Sequence, residues 1–111
     1  MHNTHPPLMP LSNKLSQQQL TLFLRKALPE LSKDYAMLEA HLQHQQWAEA
    51  SQQAHKLLSM IKLLGLDALL PLLLQIQADT PSSRTEPFRQ TLHHTYQEQL
   101  AALSALSTAP G

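Results

Sequence analysis

His55 lies in the stretch QQAHKLLSMIKLLG, residues 52 to 65, and is the side chain here best suited to do chemistry. An exposed imidazole is largely unprotonated near neutral pH, so a ring nitrogen can act as a nucleophile. A phosphoryl group is a suitable electrophile if the approach is not crowded and nearby cations offset its charge. Ser59 is small enough to permit that approach, and Lys56 and Lys62 supply the cations. Three environments compete for His55: a packed core, a metal site, or water.

The helix that carries His55 decides among them. Its apolar positions are Trp47, Ala50, Ala54, Leu57, Ile61 and Leu64, spaced by three and four, which is the mark of one buried stripe. His55 falls roughly 130° from the mean of that stripe and therefore faces water. Ser51, Gln52, Ser59 and Lys62 share its side, and Lys56 points about a quarter-turn away. Leu58 sits nearer the border, where partial exposure is expected. Gly65 is a natural C-terminal cap for this helix. Taken alone, an exposed helical histidine is ordinarily just a solvated side chain, and so is a lysine such as Lys62.

The remaining elements are read by the same periodicity. Residues 1 to 15 carry His2, His5, Pro6, Pro7 and Pro10 without a period and are expected to form a flexible N-terminal arm. From Ser16 to about Gln43, apolar residues recur at Leu20, Phe23, Leu24, Ala27, Leu28, Leu31, Tyr35, Leu38 and Leu42. Pro29 inside that run predicts a kink or a break into two helices. The His55 helix begins near Gln46 or Trp47. Asp67 is the expected N-cap of a third helix over about 68 to 78, with Pro71 near its first turn. That helix is apolar nearly all round and is expected to be covered on several sides. Ser83 with Glu86, or Thr85 alone, can cap a last helix running through Phe88, Leu92, Tyr96, Leu100 and Leu103 to about Leu106. The expectation is an all-α, antiparallel up-down four-helix bundle spanning 16–107.

Composition narrows the function classes. The chain has 111 residues, no formal net charge and a pI near 7.1, which disfavours nucleic acid or an anionic membrane as the main partner. There is no cysteine, so disulfides and thiolate chemistry are excluded, and a reducing cytoplasm fits. Valine is absent and isoleucine occurs only at 61 and 76, which favours helices over strands. The opening MHNTHPPLMPLSNK lacks the form of a secretory signal, and LLGLDALLPLLLQI is too short to span a bilayer. His41 with His44, and His93 with His94, lack the acidic neighbours of a bundle metal site, so no native metal is expected. No nucleophile–base constellation or glycine-rich phosphate loop suggests an enzyme.

Ala54, His55 and Leu57, with Gly65 ten residues after the histidine, resemble the signature of a histidine-containing phosphotransfer (HPt) domain. The upstream segment FLRKALPELSKDYAMLEAHLQHQQWAEASQQAHKL is similar to the same family, and the resemblance covers about residues 16 to 106. It implies that His55 accepts a phosphoryl group from an aspartyl phosphate of one receiver domain and passes it to another. It implies no ATP site and no cofactor in this chain, with magnesium held by the partner. Implied partners are response-regulator receiver domains and a hybrid sensor histidine kinase, met by a cytoplasmic monomer. The initiator Met favours a free-standing protein over a piece of such a kinase. Two positions depart from the family pattern: Leu58 replaces the usual lysine, and Ser59 the usual glycine. Lys62 is the expected substitute for the missing cation. Leu58 or Leu63 could instead help form an apolar docking patch. The alternative implied by Leu58 is an HPt-like adaptor that binds a kinase or receiver without phosphotransfer.

Overall fold

A computed structural model describes residues 16–108. The expected N-terminal arm lies outside them. The described residues form four α-helices and no strand: α1 Gln17–Gln43, α2 Trp47–Leu64, α3 Leu70–Ala78 and α4 Glu86–Thr108. Short 3-10 turns, Asp67–Leu69 and Pro81–Arg84, precede α3 and α4. Among the described residues no helix is long and apolar enough to cross a membrane.

Ser16 starts α1 with a reciprocal capping box: its hydroxyl accepts from the Gln19 N–H, and the Gln19 amide oxygen accepts from the Ser16 N–H. Pro29 does not divide the helix, which runs unbroken from Gln17 to Gln43. Pro29 deprives the Arg25 carbonyl of its helical N–H. Both residues lie on the exposed face, where water can replace that partner. Packing of Leu24, Ala27, Leu31, Tyr35, Leu38 and Leu42 along the opposite face then holds the helix together across the proline.

Gly65 ends α2 with φ 71°, ψ 28°. Its N–H bonds the Lys62 carbonyl, and the Leu66 N–H bonds the Ile61 carbonyl, the paired closure that a left-handed residue permits. Leu66 is thereby carried into the core. One expectation for α3 needs correction. Asp67 makes no side-chain cap; the chain enters through a 3-10 turn, and α3 begins at Leu70 with Pro71 in its first turn. As expected, α3 is covered on several sides, by α2 and the two 3-10 turns, with Leu73 and Ile76 buried and Leu74 50 % exposed. Thr80 caps the second 3-10 turn through the Ser83 N–H, and Thr85 caps α4 through the Phe88 N–H. Thr85 rather than Ser83 is therefore the α4 cap.

The core is one cluster drawn from all four helices. α2 packs against both α1 and α3, and α4 packs against α1 and the two 3-10 turns. Each fully buried leucine, such as Leu38, Leu64 or Leu92, contributes about 1.5–3 kcal/mol relative to an exposed one. Polar groups inside are satisfied: the buried Gln53 amide donates to the Asp34 carbonyl at 2.7 Å. Among the described residues no buried side-chain nitrogen or oxygen lacks a partner.

Tyr35 of α1 and Tyr96 of α4 stack with ring centroids 3.6 Å apart. The Tyr35 hydroxyl donates to Glu39 Oε2 at 3.0 Å, and that same oxygen accepts from His93 Nδ1 at 2.8 Å. Burial, then the Glu39 charge, pushes the Tyr35 phenol well above its ordinary range, and burial raises Tyr96. In the unfolded chain both phenols ionise near pH 10. Above that pH the folded state retains protons that the unfolded state has lost. The fold is therefore expected to lose stability as pH rises from about 10 toward the folded-state values. Chemical denaturation at pH 8, 9, 10 and 11 should show the loss, and Tyr35→Phe should shallow it; an unchanged slope in the variant would contradict this account.

Candidate functional site

α2 lies between α1 and α3, so its two buried flanks leave one strip in water. That strip carries Gln52, His55, Ser59 and Lys62, all exposed, with Ser51 half-buried at its edge. His55 is thus not a core residue. Among the described residues no group of three or more His, Cys, Asp or Glu could hold a metal ion.

The imidazole is not adrift. Gln77, in the last turn of α3, places its side-chain amide 2.8 Å from His55 Nδ1. Gln77 is itself fixed, because the Ser51 hydroxyl donates to its backbone carbonyl at 2.6 Å. The last carbonyls of a helix have no intrahelical donor, so Ser51 satisfies one of them while tying α2 to the end of α3. A Ser51–Gln77–His55 chain of contacts results, two turns of helix held together by one serine and one amide. Nε2 of His55 bonds no described residue.

The amide has two ways to serve the ring. In the orientation present, its N–H donates to Nδ1, which leaves the proton of a neutral imidazole on Nε2. A half-turn of the amide presents its oxygen instead, so that Nδ1–H donates and Nε2 carries the free lone pair. Amide nitrogen and oxygen are nearly equal in size, so the exchange needs no repacking.

The two lysines have different fates. Lys56 Nζ lies 3.5 Å from Asp34 Oδ1, which draws it toward α1. Lys56 is largely exposed, though Asp34 is not, so the pair is worth about 1 kcal/mol or less, yet it competes with any role at His55. Lys62 has no hydrogen-bond or ion-pair partner from its side chain among the described residues. Seven residues correspond to roughly 10.5 Å of helix rise. Side chains lean toward the helix N-terminus, which inclines Lys62 back toward His55. Ser59 lies between them and is exposed.

Leu58 departs from its expected place. It is only 8 % exposed and belongs to the core, not to the border of the strip. The single-stripe reading allowed α2 one packing partner, whereas it packs against both α1 and α3. Leu58 is therefore not placed to contact a phosphate or a partner. Ala54 and Leu57 are buried as the motif's structural residues should be, and Leu63 is 37 % exposed.

Sequence reasoning did not find Gln77, Ser51 as its anchor, or Asp34. Their signal is weak: an amide 22 positions from a histidine is linked to it only once α3 folds back on α2. His41 and His44 have local employment. His41 Nδ1 contacts Gln46 Oε1 and His44 Nδ1 contacts the Ala40 carbonyl, both at 2.8 Å, finishing the end of α1. Arg84 grips Asp79 through two hydrogen bonds, holding that carboxyl below its usual range, and lies over the Trp47 ring.

Comparison with family models, curated proteins and solved structures finds no match to this chain.

Replacement of Gln77 by Leu removes the only partner of His55 Nδ1 among the described residues. Long-range 1H–15N spectra above pH 8 should then show the ring's tautomer balance moving from that of the native chain toward that of free imidazole. Identical ring nitrogen shifts in native and Gln77→Leu chains would show that the amide does not act on the imidazole.

Proposed function

We propose that this chain is a phosphorelay intermediate of the HPt type, an antiparallel up-down four-helix bundle whose His55 accepts and donates a phosphoryl group. The observation that carries this reading is an exposed imidazole with Nδ1 held by Gln77 and Nε2 left toward water. The resemblance around Ala54, His55, Leu57 and Gly65 supports it, as do the small Ser59 and the unengaged Lys62.

In the forward step the Nε2 lone pair attacks the phosphorus of an aspartyl phosphate on a docked receiver domain. The phosphorus–oxygen bond to that aspartate breaks, and the carboxylate departs with the electron pair. Nδ1–H donates to Gln77 in its oxygen-inward orientation and so stabilises the ring as it gains positive character. Lys62 approaches the transferred phosphoryl oxygens. Magnesium belongs to the receiver and offsets charge there. The reverse sequence delivers the group to a second receiver. The chain needs no ATP site; a hybrid sensor kinase supplies the phosphoryl group upstream. The partner contact is small and short-lived, as relay encounters are, and the protein acts as a cytoplasmic monomer.

Burial of Leu58 favours a second reading. The cation that the family pattern places at that position is missing, and the strip keeps only Lys62 for phosphate. An adaptor that docks on a receiver or kinase without accepting phosphate would tolerate that loss.

Incubation with phosphorylated receiver domains separates the two. The native chain should acquire acid-labile phosphate, His55→Gln should acquire none while keeping its melting temperature, and Lys62→Ala should slow transfer about tenfold. Receiver binding without label would establish the adaptor. Label retained in His55→Gln would remove His55 from the mechanism.

A further inference from the structure

Charge is sorted by side on α1. Two of its acids turn to neighbouring helices: Asp34 lies 3.5 Å from Lys56 of α2, and Glu39 accepts from His93 of α4 at 2.8 Å. Its cations Arg25, Lys26 and Lys33 are exposed, and their side chains make no ion pair or hydrogen bond with any described residue. The same face carries two of the four large apolar side chains exposed among the described residues, Leu22 at 54 % and Met37 at 42 %. Viewed down the axis, Leu22, Lys33, Lys26 and Met37 fall within about 60° of one another, away from the buried stripe, with Arg25 flanking Leu22. Along the axis, Leu22 and Met37 are separated by about 22 Å of helix rise. Glu30, at the margin of this face, is the only exposed acid of α1.

We propose that this outer face of α1 docks an acidic amphipathic helix of a partner protein. Two helices share one rise per residue, so a partner helix of about four turns laid along α1 meets both apolar ends. Its apolar residues cover Leu22 and Met37. Its carboxylates meet Lys26 and Lys33 between them and Arg25 at the side. Other occupants fit less well. An extended strand finds no row of unpaired backbone groups on the side of a helix. A nucleic acid leaves Leu22 and Met37 without apolar cover. Two apolar side chains and three cations fall short of the paired anchors that stable membrane attachment takes. A second copy offers no complement, because the chain's other acids are dispersed over α2, α4 and the segments between them. His55 stands on the side of α2 that meets Gln77 of α3 and is not part of this surface.

The test is 1H–15N NMR of the full chain titrated with a blocked synthetic helix of about 18 residues, built from Leu, Ala and Glu with leucines three and four apart. The same peptide with every Glu replaced by Lys is the control. The acidic peptide should shift the signals of Leu22, Lys26, Lys33 and Met37 saturably, and the basic one should bind at least about tenfold more weakly. Lys26→Glu combined with Lys33→Glu should weaken the acidic peptide by a similar factor, with the Tyr35 and Tyr96 ring signals unchanged to show an intact fold. His55→Gln should bind as the native chain does. Equal binding of the two peptides, saturable shifts centred elsewhere, or no saturable shifts would overturn the proposal. So would tighter binding of the chain to phosphatidylglycerol vesicles than to the acidic peptide, or self-association of the chain through Leu22 and Met37.

Discussion

The burial of α2 between α1 and α3 is the constraint on which the rest depends. A helix with one packing partner hides one stripe; this one hides Ala50, Gln53, Ala54, Leu57, Leu58, Ile61 and Leu64. What remains of α2 in water includes the strip of Gln52, His55, Ser59 and Lys62. His55 faces water because it lies on the strip that neither α1 nor α3 covers. The same constraint removes Leu58 from the surface and leaves Lys62 as the cation of the strip without a partner among the described residues. Packing thus selects the site's composition before any chemistry is considered.

A second contact converts an exposed histidine into a positioned one. Ser51 satisfies an end carbonyl of α3, and the residue that owns that carbonyl, Gln77, reaches the imidazole. Helix termination and ring orientation are therefore one piece of structure. The amide can donate or accept at Nδ1, so it can follow the ring through both protonation patterns without any helix moving. Tyr35, Glu39, His93 and Tyr96 join α1 to α4 in a comparable way, with burial rather than charge as the main influence on the phenols.

The outward face of His55, the Gly65 terminus and most buried positions of α1, α2 and α4 were legible in the sequence, because apolar spacing of three and four reports directly on which face is covered. Of the kink or break expected at Pro29, the break does not occur. A proline on the wet face forfeits one hydrogen bond that water can replace, and the packed face keeps the helix whole. Asp67 misled for another reason: local rules for caps do not know that the chain enters through a 3-10 turn, and rules for amphipathicity do not know how many neighbours a helix has. Leu58 failed on the same ground. Gln77, Asp34 and Glu39 were not legible, since each acts across helices and no spacing within one helix points to its partner.

The central claim is that His55 presents Nε2, with Nδ1 held from behind. Phosphoramidate, a small donor that needs no docking partner, addresses it directly. After incubation of the full chain, 15N-labelled at histidine, 31P and long-range 1H–15N spectra identify the modified nitrogen. The account predicts a single phosphohistidine at His55 Nε2. Phosphate on Nδ1 of His55, or on other histidines in preference to it, would contradict it.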